Sequence, residues 1–128
     1  MTDREMLEFA AKAAGYTLTW GEKYLLGDDE VDCSDIPYIK SNETDVSDAY
    51  WNPLIDDGDA LRLAVKLGID FYEGEDDGKA AYAGYYAPRS NTRPQRFMVE
   101  RHNDHADPYA ATRLAITRAA AEIGRTMP

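Results

Sequence analysis

The segment from Asp107 to Gly124 limits the possible folds more than any other part of the chain. Asp107 offers a side-chain oxygen to the free N–H groups of a helix start. Pro108 suits the first helical position, where its missing N–H is not needed. The periodicity predicts a helix over 108–123, with Gly124 as its stop. Tyr109, Thr112, Ala115, Ile116, Ala119, Ala120 and Ile123 form its main face. Ala110, Leu114 and Ala121 form a second apolar strip roughly 120–140° away, with Arg113 and Arg118 on either side. A helix that is apolar on two sides needs two neighbours, so this chain must build around it.

Two further helices are legible. Thr2, Asp3, Arg4 and Glu5 fit a capping box, followed by Met6, Leu7, Phe9, Ala10, Ala13 and Ala14 on one side and Glu5, Glu8 and Lys12 opposite. Gly15 closes that helix. The second runs over 59–67 and ends at Gly68. Its apolar residues (Ala60, Leu61, Leu63, Ala64, Val65 and Leu67) leave only Arg62 and Lys66 as a polar stripe, which predicts a mostly buried helix. Asp56, Asp57 and Asp59 before and at its start supply a cap and negative charge at the positive end of the helix dipole.

Strand patterns lie between the helices. Residues 16–20 alternate and are rich in aromatic and β-branched types, and 23–26 is placed to pair with them across Gly21 and Glu22. Residues 69–73, 80–87 and 96–101 read as three strands. The first connection is an acidic, glycine-flanked turn over 73–78, the second a proline-bounded loop over 88–94. Two hairpin-like connections imply an antiparallel meander between the second and third helices. Residues 27–56 show no sustained period and read as a long acidic loop, a length that in a compact domain marks mobility or function. The whole chain, 1–128, reads as one α+β domain, with Leu63, Leu67 and Ile116 in its core.

Charge narrows the functional classes. The net charge is −10. Residues 1–64 hold 15 acids and 5 bases, while residues 65–128 hold 9 of each, so all the excess sits in the first half. Such a chain is repelled by nucleic acid at long range, which argues against direct nucleic-acid binding. Arg89, Arg93, Arg96 and Arg101 nevertheless fall within thirteen residues that contain one acid, Glu100. They either meet an anionic partner or pair with the protein's own carboxylates. No apolar run approaches the ~20 residues of a spanning helix, and the opening residues lack the pattern of a secretory signal. One cysteine, Cys33, excludes an internal disulfide framework. These features lead to the expectation of a cytoplasmic protein without membrane contact.

Two separated blocks are similar to a known family. WNPLIDDGDALRLAVKL at 51–67 and DPYAATRLAITRAAAEIG at 107–124 resemble the two hallmark blocks of the phage ABA sandwich domain, and 3–15 resembles the start of such proteins. The family consists of small bacteriophage and prophage proteins. The resemblance implies a three-layer α/β/α sandwich with a central antiparallel sheet, and places the protein in the host bacterial cytoplasm. It brings no catalytic residues with it.

Candidate sites have competing readings. His102 and His105, with Asp104 and Asp107 nearby, have the crude spacing of a metal site for a small metal-dependent hydrolase, or they belong to a solvated loop. Asp56, Asp57 and Asp59 cap a helix. A calcium loop would need alternating ligands over twelve residues, a span already occupied by apolar helix. Trp51 either anchors the loop beside the second helix together with Leu54 or forms an exposed binding platform. Tyr82, Tyr85, Tyr86 and Phe97, beside Arg89, Arg93 and Arg96, form the best candidate recognition surface, since tyrosine and arginine dominate interface energetics. Under two covering helical layers the same rings would be core. Cys33 has no histidine near it in sequence and lies among Glu30, Asp32 and Asp35, a poor setting for a nucleophile.

With no phosphate loop, nucleophile elbow or dinucleotide fingerprint, and no cofactor indicated, the expected function is that of a non-catalytic accessory protein. It would bind a host or phage protein; a small-ligand binder is a further possibility. The second apolar strip of the third helix (Ala110, Leu114 and Ala121) predicts a homodimer, with Arg113 and Arg118 at its rim. The competing arrangement puts the first helix over that strip within one chain.

Overall fold

A computed structural model describes residues 1–40, 49–75, 78–85 and 96–128. The chain is α+β, with three helices and three small antiparallel sheets. Helix α1 spans Asp3–Ala14. The Thr2 hydroxyl accepts the Glu5 N–H at its start, and Gly15 closes it in the left-handed conformation that its missing Cβ permits. Helix α2 spans Asp57–Leu67, two residues longer at its start than the pattern indicated. Asp56 is its cap and accepts the Asp59 N–H at 2.8 Å. Helix α3 spans Pro108–Thr126, capped by Asp107 through the Ala110 N–H at 2.8 Å.

Gly124 does not end α3. A Cβ there would lie 1.9 Å from the Phe9 carbonyl oxygen, so this glycine serves a close helix–helix approach rather than a stop. Phe9 meets Gly124, and the Lys12 ammonium donates to the Met127 carbonyl at 3.0 Å, so α1 and α3 run in the same direction. Their seam is built from small side chains, with Ala10, Ala11, Thr117, Ala120 and Ala121 all fully buried.

The first strands depart from the expected pairing. β1 (Thr17–Trp20) does not pair with β2 (Lys23–Leu26). It pairs with β4 (Pro37–Lys40), Thr17 opposite Lys40 and Trp20 opposite Pro37, and β5 (Ala49–Tyr50) adds to the far side of β4. β2 instead forms a hairpin with β3 (Asp29–Asp32) through Gly27 at φ +66°. Gly21 is a crossing point rather than a turn. Its N–H donates to the Ile36 carbonyl at 2.9 Å, and a Cβ on it would fall 2.2 Å from the Cys33 oxygen. Three strands thus occupy part of what reads as the loop 27–56. β3 is hidden in the sequence because three of its four residues are acids.

The third sheet is the expected meander: β6 (Asp70–Glu75), β7 (Lys79–Tyr85) and β8 (Arg96–Arg101), in the order β6-β7-β8. A short 3-10 turn at His102–Asp104 leads toward α3. Phe71, Ala83 and Met98 lie in register on one face, and Tyr72, Tyr82 and Val99 on the other. Helix α3 packs on the first of these faces, and α1 and α2 pack on α3. The core is a continuous cluster of Leu7, Trp51, Leu63, Ile69, Tyr85 and Ile116 with many alanines; Leu67 packs at its margin. Helix α2 is less enclosed than its composition indicates. Leu61 and Val65 are exposed, because α2 meets the rest of the chain chiefly through the side carrying Ala60, Leu63 and Ala64. Among the described residues, no second helical layer covers the opposite face of β6–β8.

Candidate functional site

That opposite face carries rings. Tyr72 and Tyr82, directly cross-strand, stack in parallel with centroids 5.0 Å apart and planes 2° apart. Phe97 meets Tyr72 edge-on at 6.2 Å. Gly74 makes room for the stack: a Cβ there would lie 2.9 Å from the Tyr82 ring, and the Tyr82 hydroxyl donates to the Glu75 carbonyl at 2.8 Å. Tyr72 is 50% exposed and Phe97 45% exposed. Stacked and edge-to-face rings are favourable beyond their buried area, so the platform is pre-formed.

On the inner side of β6 lies a groove of about 310 Å³ between α2 and α3. Ala60, Leu61, Phe71, Tyr109 and Ile116 supply its apolar walls, and Asp57, Glu73, Thr112 and Arg113 its polar groups. Glu73 is held at both oxygens. Oε1 lies 2.6 Å from the Thr112 hydroxyl, and Oε2 lies 2.7 Å from His102 Nε2. The Thr112 hydroxyl also lies 2.8 Å from the Pro108 carbonyl, so two acceptors share its one hydrogen. Arg113 is committed elsewhere, with Nε donating to the Leu54 carbonyl at 3.0 Å and Nη1 to Asp57 at 2.6 Å. The groove therefore offers an oriented carboxylate between apolar walls, beside a guanidinium already engaged.

The residues singled out from sequence are dispersed. His102 faces Glu73, whereas His105 Nε2 lies 2.9 Å from Glu100, which also receives Arg118. The two histidines do not converge, and among the described residues no three His, Cys, Asp or Glu side chains form a metal-binding group. The Asp56–Asp59 stretch is absorbed by structure: Asp56 caps α2, Asp57 pairs with Arg113, and Asp59 accepts the Asn52 N–H and an Arg62 bond.

Trp51 is 3% exposed, edge-on to Tyr16 at 5.8 Å, and is core rather than a surface platform. Tyr85 is 8% exposed and belongs to the same core, because its place on β7 puts it on the face under α3. Tyr86, Arg89 and Arg93 lie outside the described residues, and of Arg96 only the backbone is described, opposite Tyr85. On α3, Ala110 and Leu114 are half-buried, but Ala121 is fully buried on the α1 side. Arg113 and Arg118 bond to Asp57 and Glu100 of their own chain. The strip expected to dimerise thus loses one end and both rim charges to internal contacts.

Sequence reasoning missed Tyr72, Glu73 and Thr112. The register of β6 on β7 is the missing signal, since it alone places Tyr72 beneath Tyr82 and Glu73 on the α3 side. No family model, curated protein or solved structure matches the chain. Among the described residues no helix is long and apolar enough to cross a membrane.

Proposed function

We propose that the protein is a non-catalytic accessory protein of the phage ABA sandwich kind, working in the host bacterial cytoplasm by binding a host or phage protein. The single observation that carries this reading is the ring platform of exposed Tyr72 and Phe97 with half-buried Tyr82, on a sheet face with no described helix above it. Aromatic side chains supply a large share of binding energy at interfaces, and tyrosine in particular serves as an anchor. A protein surface laid on this face would complete the three-layer order that the sequence blocks imply, with the partner as the second helical layer. The reading asks for no reaction: His102 and His105 each face a carboxylate of their own chain, Glu73 and Glu100.

The test compares wild type with the double variant Tyr72→Ser, Phe97→Ser as bait in host lysate. Both side chains are half exposed, so the variant should keep the wild-type circular dichroism and melt cooperatively, with only the modest fall in melting temperature that loss of the two ring contacts brings. A partner retained by wild type and lost by the variant is the expected result. Equal retention by both would reject this face.

A further inference from the structure

We infer that β6 is a docking edge for an extended, basic segment of the partner, which adds as a fourth strand and sends one lysine or arginine side chain into the groove against Glu73. The inference deepens the binding reading above and rests on it. β6 lies at the end of the sheet order, and five of its six residues are exposed. An edge strand presents unpaired backbone N–H and C=O groups, which an extended peptide can satisfy by strand addition.

Side-chain alternation then determines what the peptide would meet. Alternate residues of an added strand point to opposite faces. One set would stand beside Phe71 and Glu73 at the mouth of the groove, the other beside the Tyr72–Tyr82 stack. Edge and face are therefore two halves of one surface. The groove, about 310 Å³, sits at the small end of ligand-pocket sizes and suits a single long side chain.

Charge selects the occupant. β6 carries Asp70, Glu73 and Glu75, while the groove's other charges, Asp57 and Arg113, pair with each other, and His102 Nε2 faces one oxygen of Glu73. Phe71 and Tyr109 place aromatic surface beside these carboxylates, a setting that favours a cation. A second copy pairing edge to edge would set these acids against their own kind, and like charges across strands are destabilising. The acids thus block self-pairing and select a basic strand. The net charge of −10 draws the same partner at long range.

The probe is a capped heptapeptide of alternating threonine and lysine, titrated into the ¹⁵N-labelled full chain. Its controls are the threonine–glutamate analogue and a lysine peptide N-methylated at alternate residues. Expected are amide shifts concentrated on β6 and around Thr112, about tenfold weaker binding for Glu73→Gln, and no binding by either control. Equal binding by the N-methylated peptide, equal binding by Glu73→Gln, or shifts centred away from β6 would overturn strand addition. Glu75→Gln, on the same face of the edge strand but outside the groove, should weaken binding less than Glu73→Gln. If the lysine peptide fails to bind at millimolar concentration while Tyr72→Ser, Phe97→Ser still loses the cellular partner, strand addition is rejected and the face reading survives. If the peptide binds β6 but the double variant keeps its partner, the face reading is the one that fails.

Discussion

Glycine inside a helix costs about 1 kcal/mol relative to alanine, yet Gly124 sits within α3 and is fully enclosed. Its value lies in what it lacks, since any Cβ would drive into the Phe9 backbone. Gly124→Ala should therefore destabilise the protein by about 1–3 kcal/mol despite its better helix propensity, as overpacking does. Denaturant unfolding measures this, and a stabilised variant would contradict the α1–α3 seam. Leu63, 1% exposed at the centre of the core, is the opposite case. Leu63→Ala should leave a cavity and cost about 2–5 kcal/mol in the same assay. Asp32 shows a charge effect on a single residue. The Ser34 hydroxyl donates to its Oδ1 at 2.5 Å and the Ser34 N–H at 2.9 Å, and these bonds hold the carboxyl below the usual aspartate range. Because the folded value is the lower one, the stabilisation is present above the ordinary aspartate range and is lost as pH falls through the folded value. The Ser34 amide shift should titrate with a midpoint below that of a free aspartate, and the Asp32→Asn variant should show no such transition.

At the scale of elements, the β2–β3 hairpin is nearly all exposed, Tyr24, Leu25 and Leu26 included. Its base is closed independently by the Cys33 N–H donating to the Glu22 carbonyl at 3.1 Å. Replacing residues 23–32 with a short glycine–asparagine turn should therefore change stability by less than about 1 kcal/mol, the range of surface changes. A large loss in calorimetry would mean that the hairpin packs on the core. This hairpin also shows where the sequence is and is not readable. The helix starts were legible because Thr2, Asp56 and Asp107 are capping residues whose chemistry is local. The β6–β8 meander was legible because its turns are marked by glycine and proline. β3 was not, since an exposed acidic strand has no apolar alternation to read. Pairing partners were not legible either: Gly21 resembles a turn until Cys33 is seen to lie against it. The candidate site suffered most. Tyr85 and Tyr82 differ by three positions and look alike in sequence, yet one is core and the other belongs to the outer ring stack. Which face α3 covers is decided by tertiary packing, which no local pattern encodes.

Over the whole molecule, the question is whether two copies associate. The apolar strip of α3 makes a dimer reasonable, with Ala110 and Leu114 half-buried, but part of what was to hold it is internal. Ala121 is buried within the chain, and Arg113 and Arg118 bond to their own Asp57 and Glu100. The β6 edge is likewise unsuited to self-pairing, because it repeats one sign of charge. The net charge of −10 adds a general repulsion that salt screens, with a Debye length of about 30 Å at 0.01 M and about 8 Å at 0.15 M. Sedimentation equilibrium at micromolar concentration should therefore give the monomer mass of 14.3 kDa at both ionic strengths. A dimer that appears only in salt would show that charge repulsion alone keeps the copies apart. Leu114→Glu separates the remaining case. Leu114 is half-buried inside one chain, so a charge there should lower the melting temperature without changing the mass. A wild-type dimer that becomes a folded, equally stable monomer on this substitution would instead restore α3 as the interface.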